Sequence, residues 1–187
     1  PEIPVHPNFE PYQFEGMAVA IATPAATHFE LAGMALESGF DVFVEKPMTM
    51  SVSEAETLLG LSKRHSRILM VGHLLLYQPA TRWIKTYLQE GKLGNISSFH
   101  QERLNLGKAR SVENALWSLG VHDVAVLLYL IDKTPSSISI NAHGSTNSCV
   151  ENDVYLHLGF ADDIHAHLHM SWLWPEKRRR LTVVGER

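Results

Sequence analysis

Three short apolar runs set the pattern of the first part of the chain. Residues 17–22 (MAVAIA), 41–44 (DVFV) and 68–71 (ILMV) are almost continuously hydrophobic. Runs of this length and composition are typical of parallel strands that are buried on both faces of a sheet. A stretch whose apolar residues recur at helical spacing follows each of the first two runs. The pattern therefore predicts the order β-α-β-α-β.

Polar residues mark where these two helices begin. Thr23, which a proline follows, is predicted to cap the first helix, and Gly39 to end it. Ser51 and Glu54 have the spacing of a capping box at the start of the second helix. Three parallel strands with two right-handed crossovers make half of a doubly wound α/β fold. We expect the other half to precede Pro1.

The pattern changes after residue 72, where helices and strands no longer alternate. Helices are predicted at residues 79–90 and 114–131. Strands are predicted at residues 95–104, 136–143, 154–160, 164–172 and 180–184. We therefore predict two domains: residues 1–72 with a truncated parallel sheet, and residues 73–187 with an α/β fold around an open, mainly antiparallel sheet. The open sheet is also the face through which we expect a homo-oligomer to form.

Composition narrows the class of protein. The chain has 187 residues, of which 45% are hydrophobic and 19% charged, with a net charge of -4. These values are typical of a globular protein and give no reason to expect nucleic acid or a membrane surface as a partner. The longest apolar run, residues 124–131, is too short to span a bilayer, and no signal peptide is recognisable. A single cysteine, Cys149, fits the expected cytoplasmic location.

The sequence Glu45-Lys46-Pro47 directly follows the second predicted strand. In open α/β sheets, ligands bind beyond the carboxyl ends of the strands. Pro47 restricts the backbone of Lys46, so the lysine could be held where it hydrogen-bonds a substrate hydroxyl. The alternative is a surface lysine in a turn, and position alone does not separate the two.

Polar residues also interrupt the apolar helix predicted at residues 114–131. Asn114, Ser118 and His122 are four residues apart and would line one face of an α-helix. Such a stripe either meets a ligand or is satisfied inside the protein, as a buried histidine often is. Asp123 would point about 100° away from His122, so we interpret it as a hydrogen-bonding or capping residue rather than a direct partner.

Two further groups of polar residues have both a functional and a structural interpretation. The segment with Arg103, Asn105 and Arg110 could grip a phosphate or a carboxylate, or it could be a solvated basic loop. His165, His167 and His169 share one face of a strand, but they span about 14 Å, which is too far for one ion. We therefore expect no metal site there, and we expect these histidines to face solvent or an interface.

Four sequence blocks, taken together, resemble the Gfo/Idh/MocA oxidoreductase family. The blocks are Ala22-Thr23-Pro24 with His28, Glu45-Lys46-Pro47, Val71-Gly72-His73 and Gly120-Val121-His122-Asp123. The stretch from Arg103 to Asp123 is similar to a narrower group, the nucleotide-sugar 3-dehydrogenases that act on UDP-N-acetylglucosamine or -glucuronate.

The resemblance implies a Rossmann domain that holds NAD or NADP, followed by a domain that meets a sugar or nucleotide-sugar substrate. It implies Lys46 and His122 as the catalytic residues. The implied cofactor-binding residues are Thr23, Pro24, His28, Glu45, Lys46, Pro47 and His73. The implied substrate-binding residues are Arg103, Asn105, Arg110, Asn114, Trp117 and Ser118.

The sequence departs from the family pattern at two points. The glycine-rich phosphate loop, GxGxxG, does not occur in the chain and would lie roughly 55 residues before Pro1. Ser118 stands where many relatives carry an aspartate one helical turn before the histidine. Two other functions therefore stay open at this point: a sugar or nucleotide-sugar binding module without catalysis, and a histidine-rich metal-binding protein or zinc hydrolase.

Overall fold

The chain divides into two compact units, Pro1–His73 and Leu74–Arg187. A computed structural model describes residues 18–107, 113–144 and 150–187. Within these ranges no helix combines the length and the apolar character that crossing a membrane requires. Each unit is described by itself below.

The first unit is a three-stranded parallel sheet with its connecting helices. Its elements are β1 (Ala18–Ile21), α1 (His28–Glu37), β2 (Asp41–Val44), α2 (Val52–His65) and β3 (Leu69–Val71). The strands lie in the order β1-β2-β3, and both pairs are parallel. This confirms the predicted β-α-β-α-β order.

Apolar residues of these elements form one core between the sheet and the helices. Its buried members are Ile21, Ala32, Ala35, Leu36, Phe40, Val42, Val44 and Leu58. The helix spacing predicted from the sequence accounts for Ala32, Ala35 and Leu36, which α1 presents to the strands. The core therefore holds the carboxyl ends of the three strands at one edge of the sheet.

The helix starts differ in part from the prediction. Ser51 caps α2 as expected, because its hydroxyl accepts a hydrogen bond from the Glu54 N–H at 3.3 Å. Thr23 does not cap α1: a short 3₁₀ turn, Ala25–Thr27, intervenes, and α1 begins only at His28. The Thr23 hydroxyl instead lies 2.7 Å from the Thr27 hydroxyl. A proline with its fixed φ is compatible with a 3₁₀ turn as well as with an α-helix.

The second unit packs two helices on one face of a five-stranded sheet. Its helices are α3 (Pro79–Gln89) and α4 (Val121–Ile131). Its strands are β4 (Ile96–Leu106), β5 (Ser137–His143), β6 (Asp153–Gly159), β7 (His165–Ser171) and β8 (Leu173–Gly185). They lie in the order β5-β6-β7-β4-β8, with β4 and β7 parallel and the other neighbours antiparallel. This confirms the predicted mainly antiparallel sheet.

One face of this sheet is apolar and buried, and the other is polar. The core residues alternate along the strands: Val154, Leu156 and Leu158 on β6, then Ala166, Leu168 and Met170 on β7. They pack with Val126, Leu127 and Leu130 of α4. Because side chains alternate across a strand, the residues between them face away from the helices. The sheet therefore has an open, polar face.

The helix that carries His122 begins with a π-helical turn, Leu116–Gly120. The Val121 N–H donates to the Leu116 carbonyl, a bond across five residues, in place of the four of an α-helix. The α-helix predicted over residues 114–131 is therefore interrupted by this turn. The Ser118 N–H still donates to the Asn114 carbonyl at 3.0 Å, the spacing of an α-helix. That Asn114, Ser118 and His122 line one face stays a prediction.

Candidate functional site

The carboxyl edge of the parallel sheet gathers the residues predicted to bind the cofactor. Thr23, Lys46 and His73 each come within two residues of the end of β1, β2 and β3. Backbone hydrogen bonds join the strand ends, from the Glu45 N–H to the Ile21 carbonyl at 2.9 Å and from the Gly72 N–H to the Val44 carbonyl at 2.8 Å. The fold thus brings three sequence-distant segments to one edge, where ligands bind in open α/β sheets.

His28 connects two of these segments from inside the unit. Its ring is 1% exposed, with Nδ1 2.7 Å from the Pro47 carbonyl and Nε2 2.8 Å from the Thr23 carbonyl. A carbonyl oxygen only accepts, so a His28 ring nitrogen donates to its carbonyl when it carries the hydrogen. Both ring nitrogens face the two loops, so the contribution predicted for His28 at the cofactor site would be made through those loops.

The Glu45 carboxylate lies close under the backbone of Gly72. A Cβ atom at Gly72 would come within 3.2 Å of that carboxylate, so a larger residue would push it aside. The same carboxylate accepts a hydrogen bond from the Lys46 N–H at 3.2 Å. Glu45 therefore ties the loop after β2 to the end of β3.

His73 lies at the same edge, just after β3. Among the described residues, its Nδ1 is one of the few buried side-chain nitrogens that lack a hydrogen-bond partner. Burial lowers the pKa of His73, and the Glu45 charge opposes this in part. A neutral ring can donate to or accept from an amide or a hydroxyl. This unsatisfied nitrogen, at the carboxyl edge of a parallel sheet, fits a dinucleotide, and so do the hydroxyl of Thr23 and the amine of Lys46.

In the second unit, a buried ion pair fixes the residue next to His122. The Arg103 Nη2 lies 2.6 Å from Asp123 Oδ1, and the Nε lies 2.8 Å from Oδ2. Gln101 donates to Oδ1 at 2.9 Å. Burial raises the pKa of Asp123, and the hydrogen bonds and charge of Arg103 oppose that rise. The interpretation of Asp123 as a hydrogen-bonding residue is confirmed.

This ion pair changes the interpretation of Arg103. Its side chain is only 12% exposed, and Asp123 neutralises its charge. A free phosphate grip by Arg103 is therefore not what the structure shows. Sequence reasoning also missed Gln101, although a glutamine two residues from the apolar Phe99 on a predicted strand shares its inward face.

The Asn114 side chain makes two hydrogen bonds at the start of the helix. Its side-chain oxygen accepts from the Trp117 N–H at 3.0 Å, and its amide donates to the Glu151 carboxylate at 3.0 Å. Asn114 thus acts as an N-cap, and its contact with a substrate stays a prediction. Trp117 is 37% exposed, and Ser118 is 5% exposed.

The remaining predicted site residues have mixed surroundings. His122 is half-buried in the first turn of α4. Gly120, two residues before it, packs so closely on β7 that a Cβ atom would lie 3.1 Å from Met170 Cε. Asn105 is half-buried near the end of β4. Arg110 lies outside the described residues.

Comparison with known proteins identifies the family. Residues 11–73 match the model of the oxidoreductase family with an NAD-binding Rossmann fold. Residues 81–187, more than half of the chain, match the GFO/IDH/MocA C-terminal domain. The chain belongs to the GFO/IDH/MocA oxidoreductase family, which confirms the resemblance stated from the sequence.

Relatives within the family include a sugar-nucleotide enzyme. The chain is 31% identical over 133 residues to UDP-N-acetylglucosamine 3-dehydrogenase from Acidithiobacillus ferrooxidans, an alignment that covers 71% of this chain and 41% of that protein. A crystal structure of a protein from Magnetospirillum magnetotacticum, described as an oxidoreductase, superposes with a TM-score of 0.82 at 37% identity. It covers 90% of this chain and 55% of the other. The chain thus spans about half the length of the relatives it matches.

A more distant structure shares the fold. An inositol dehydrogenase homolog from Azotobacter vinelandii, complexed with NADH and myo-inositol, superposes with a TM-score of 0.85 at 21% identity. The superposition covers 91% of this chain and 49% of that chain. At this identity, the comparison supports the architecture alone.

Proposed function

We propose that the complete protein is an NAD(P)-dependent dehydrogenase that removes a hydride from a secondary alcohol carbon of a sugar. The observation that carries the proposal is the position of Lys46. Lys46 lies two residues after β2 at the carboxyl edge of a parallel sheet, between Glu45 and Pro47, in a family with an NAD-binding fold. Ligands of such sheets bind at that edge.

The edge residues would hold the cofactor. Thr23, Pro24, Lys46, Pro47 and His73 surround the strand ends, with Glu45 keeping the loops together. A bound nicotinamide would accept the hydride, which is chemistry that the protein itself does not supply. The His73 ring nitrogen is the polar atom best suited to a carboxamide or a ribose hydroxyl, because it is buried and, among the described residues, lacks a partner.

Lys46 and His122 are the acid–base groups in this proposal. Removing hydride from an alcohol carbon requires that the hydroxyl proton leave as well. One of the two groups would take this proton, and the other would hydrogen-bond to the oxygen as it becomes a carbonyl. Both residues lie in sequence blocks that resemble the family. The proton is accounted for whichever of the two residues takes it.

We further propose a nucleotide sugar, such as a UDP-linked amino sugar or uronate, as the substrate class. The 31% identity to a UDP-N-acetylglucosamine dehydrogenase supports this. With Arg103 paired to Asp123, the phosphate grip would fall to Arg110 and Asn105, with Trp117 exposed nearby in sequence. The expected cytoplasmic location and homo-oligomer remain predictions.

A second candidate is a sugar-binding module that has lost catalysis. Ser118 favours it, because a buried hydroxyl cannot supply the negative charge that would orient or titrate an imidazole. Both candidates predict binding of a nucleotide sugar, but only the first predicts turnover.

The distinguishing experiment uses the complete protein with NAD, NADP and a panel of UDP-sugars and free hexoses. Reduction of the nicotinamide with a UDP-sugar, at a higher kcat/KM than with any free hexose, would support the dehydrogenase and its substrate class. Binding of the UDP-sugar by calorimetry without any reduction would support the binding module. Arg110→Ala should raise KM more than it lowers kcat, since a remote phosphate grip is mostly uniform binding.

A further inference from the structure

The open face of the five-stranded sheet is rich in histidine. Of the 11 histidines in the sequence, those that stand on this face are His100, His143, His157, His165, His167 and His169. All but His143 alternate along their strands with buried core residues, which places them opposite the helices. His143 lies on the exposed strand β5 and shares their face through its register with Asp153. The hydride-transfer chemistry proposed above does not use these histidines, although the same face is the one through which we expect a homo-oligomer to form.

Three of these histidines have carboxylate partners. His165 Nε2 lies 3.1 Å from the Asp163 carboxylate, and His169 Nε2 lies 2.7 Å from Asp153. His143 Nε2 lies 3.3 Å from the other oxygen of Asp153. These ion pairs give His143, His165 and His169 a structural role. The role of His100, His157 and His167 remains to be explained.

The other three stand side by side across neighbouring strands. His167 of β7 is in register with His100 of β4 on one side and with His157 of β6 on the other. The Nδ1 atoms of His157 and His167 are 2.7 Å apart, while the His100 ring stacks on His167 with 5.0 Å between centroids. His100 Nε2 is already hydrogen-bonded to Ser98 Oγ at 3.0 Å. The closest nitrogen pair is therefore His157 with His167.

We propose that His157 and His167 form a two-ligand site for a divalent first-row transition metal ion such as Cu²⁺, Ni²⁺ or Zn²⁺. In a bond between two imidazole nitrogens, one donates a hydrogen and the other already presents a lone pair. When the donor's hydrogen moves from its Nδ1 to its Nε2, both Nδ1 atoms present lone pairs to one point. No net proton is gained or lost in that tautomer change.

Binding an ion between the two Nδ1 atoms requires only a small movement of the rings. Metal–imidazole bonds are about 2.0–2.1 Å long, so two nitrogens on a tetrahedral ion lie about 3.4 Å apart. The pair must open from 2.7 Å, which side-chain rotation at a solvent-facing position can provide. Among the described residues, no group of three or more histidine, cysteine or acidic side chains is arranged to hold an ion, so water would complete the coordination.

The surroundings leave room for a metal ion. A cavity of about 530 Å³ opens over the two rings, with Tyr155, Glu102 and Arg180 on its wall, and has space for the ion and its waters. Each ring would bind the ion through a nitrogen that carries no hydrogen. Imidazole is a ligand that Cu²⁺, Ni²⁺ and Zn²⁺ accept well.

The test is calorimetric titration of the full chain, without a histidine tag, with NiCl₂ or ZnCl₂ alone. We expect one ion per chain. His157→Gln or His167→Gln should each raise the Kd by at least about tenfold. Losing a residue that only orients a metal ligand already weakens metal binding by about that factor, and these variants lose a ligand itself. The matched controls His165→Gln and His169→Gln, on the same strand and face as His167, should leave the Kd unchanged.

A spectroscopic measurement makes the same distinction. The electron paramagnetic resonance spectrum of bound Cu²⁺ should show coordination by two imidazole nitrogens in the wild type and by one in His167→Gln. The proposal is overturned if the wild type binds more weakly than about 1 mM, the weak end of the affinity scale. It is equally overturned if the His165 or His169 variants lose as much affinity as the His157 and His167 variants.

Discussion

Arg103 holds Asp123 with two guanidinium nitrogens, Nη2 at 2.6 Å from Oδ1 and Nε at 2.8 Å from Oδ2. This pair joins β4 to the first turn of α4, where His122 immediately precedes Asp123. Because both partners are largely buried, the pair fixes the backbone that carries His122. An arginine that looked available for a phosphate in the sequence is a structural anchor of the candidate site.

The first prediction concerns the stability that depends on this pair. Asp123→Asn keeps the shape of the side chain but leaves the Arg103 guanidinium without a counter-charge. Breaking a buried pair in this way typically costs about 3–5 kcal/mol in the free energy of unfolding. Urea denaturation followed by circular dichroism measures the loss.

The control for that variant is Asp162→Asn, which removes the exposed partner of Lys133. Exposed pairs contribute less than about 1 kcal/mol, so this change should be mild. The double variant Arg103→Met with Asp123→Leu should recover much of the stability, since apolar replacement of a buried pair is often neutral. Equal effects of the Asp123 and Asp162 changes would show that the buried pair is not an anchor.

The second prediction concerns the protonation of His73. Burial lowers its pKa below the ordinary 6.5, while Glu45 opposes the shift. The folded state therefore binds fewer protons than the unfolded state, and the contribution of His73 to the free energy of unfolding falls as pH drops through 6.5. Nuclear magnetic resonance titration of the ring protons should give a midpoint below 6.5.

Glu45→Gln should lower the midpoint of His73 further, because it removes the charge that raises the pKa. Glu37→Gln, at the end of α1, is the matched control and should leave the titration unchanged. A wild-type midpoint at or above the ordinary value would mean that His73 is not desolvated, and its role as a neutral contact to a ligand would lose its basis.

The third prediction concerns His28 between its two carbonyl partners. His28→Leu removes the ring that contacts the Thr23 and Pro47 carbonyls, at a cost of about 1–3 kcal/mol for a carbonyl that loses its hydrogen bond and stays buried. Unfolding in urea measures this, with His65→Leu at the end of α2 as the control. A loss of stability no larger than that of the control would show that the contacts of His28 with the two loops do not stabilise the unit.

The fourth prediction concerns Ser118. If Ser118 occupies the place of the family's aspartate, Ser118→Asp should raise the pKa of His122 and shift the pH–rate profile of the complete enzyme upward. Ser118→Asn has the same size without the charge, and it separates charge from crowding at this buried position. Identical profiles for the two variants would mean that residue 118 does not titrate the histidine.

Local chemistry made most of the fold predictable from the sequence. The apolar runs of β1, β2 and β3 and the Ser51 cap of α2 need only neighbouring residues to be recognised. The π-helical turn Leu116–Gly120 could not be recognised, because its apolar spacing also fits an α-helix. One extra residue in a turn leaves no compositional signal.

Contacts between distant segments limited the prediction of the site. The Arg103–Asp123 pair depends on how α4 lies on β4, and the His157–His167 pair depends on strand register. Strand register follows from pairing between distant segments, which cannot be read from a single sequence. The sequence spacing groups His167 with His165 and His169 on one strand. The residues in register with His167, however, come from β4 and β6.

The central claim is that Lys46 and His122 are the acid–base groups of a sugar dehydrogenase, and single-turnover hydride transfer in the complete protein tests it most directly. With saturating NAD(P) and a UDP-sugar, Lys46→Ala and His122→Ala should each slow nicotinamide reduction by about 10²–10⁴-fold. Cofactor affinity should change far less, and Lys63→Ala, on exposed α2, should match the wild type. The double variant should lose less than the product of the single losses. Wild-type rates in either single variant would contradict the account.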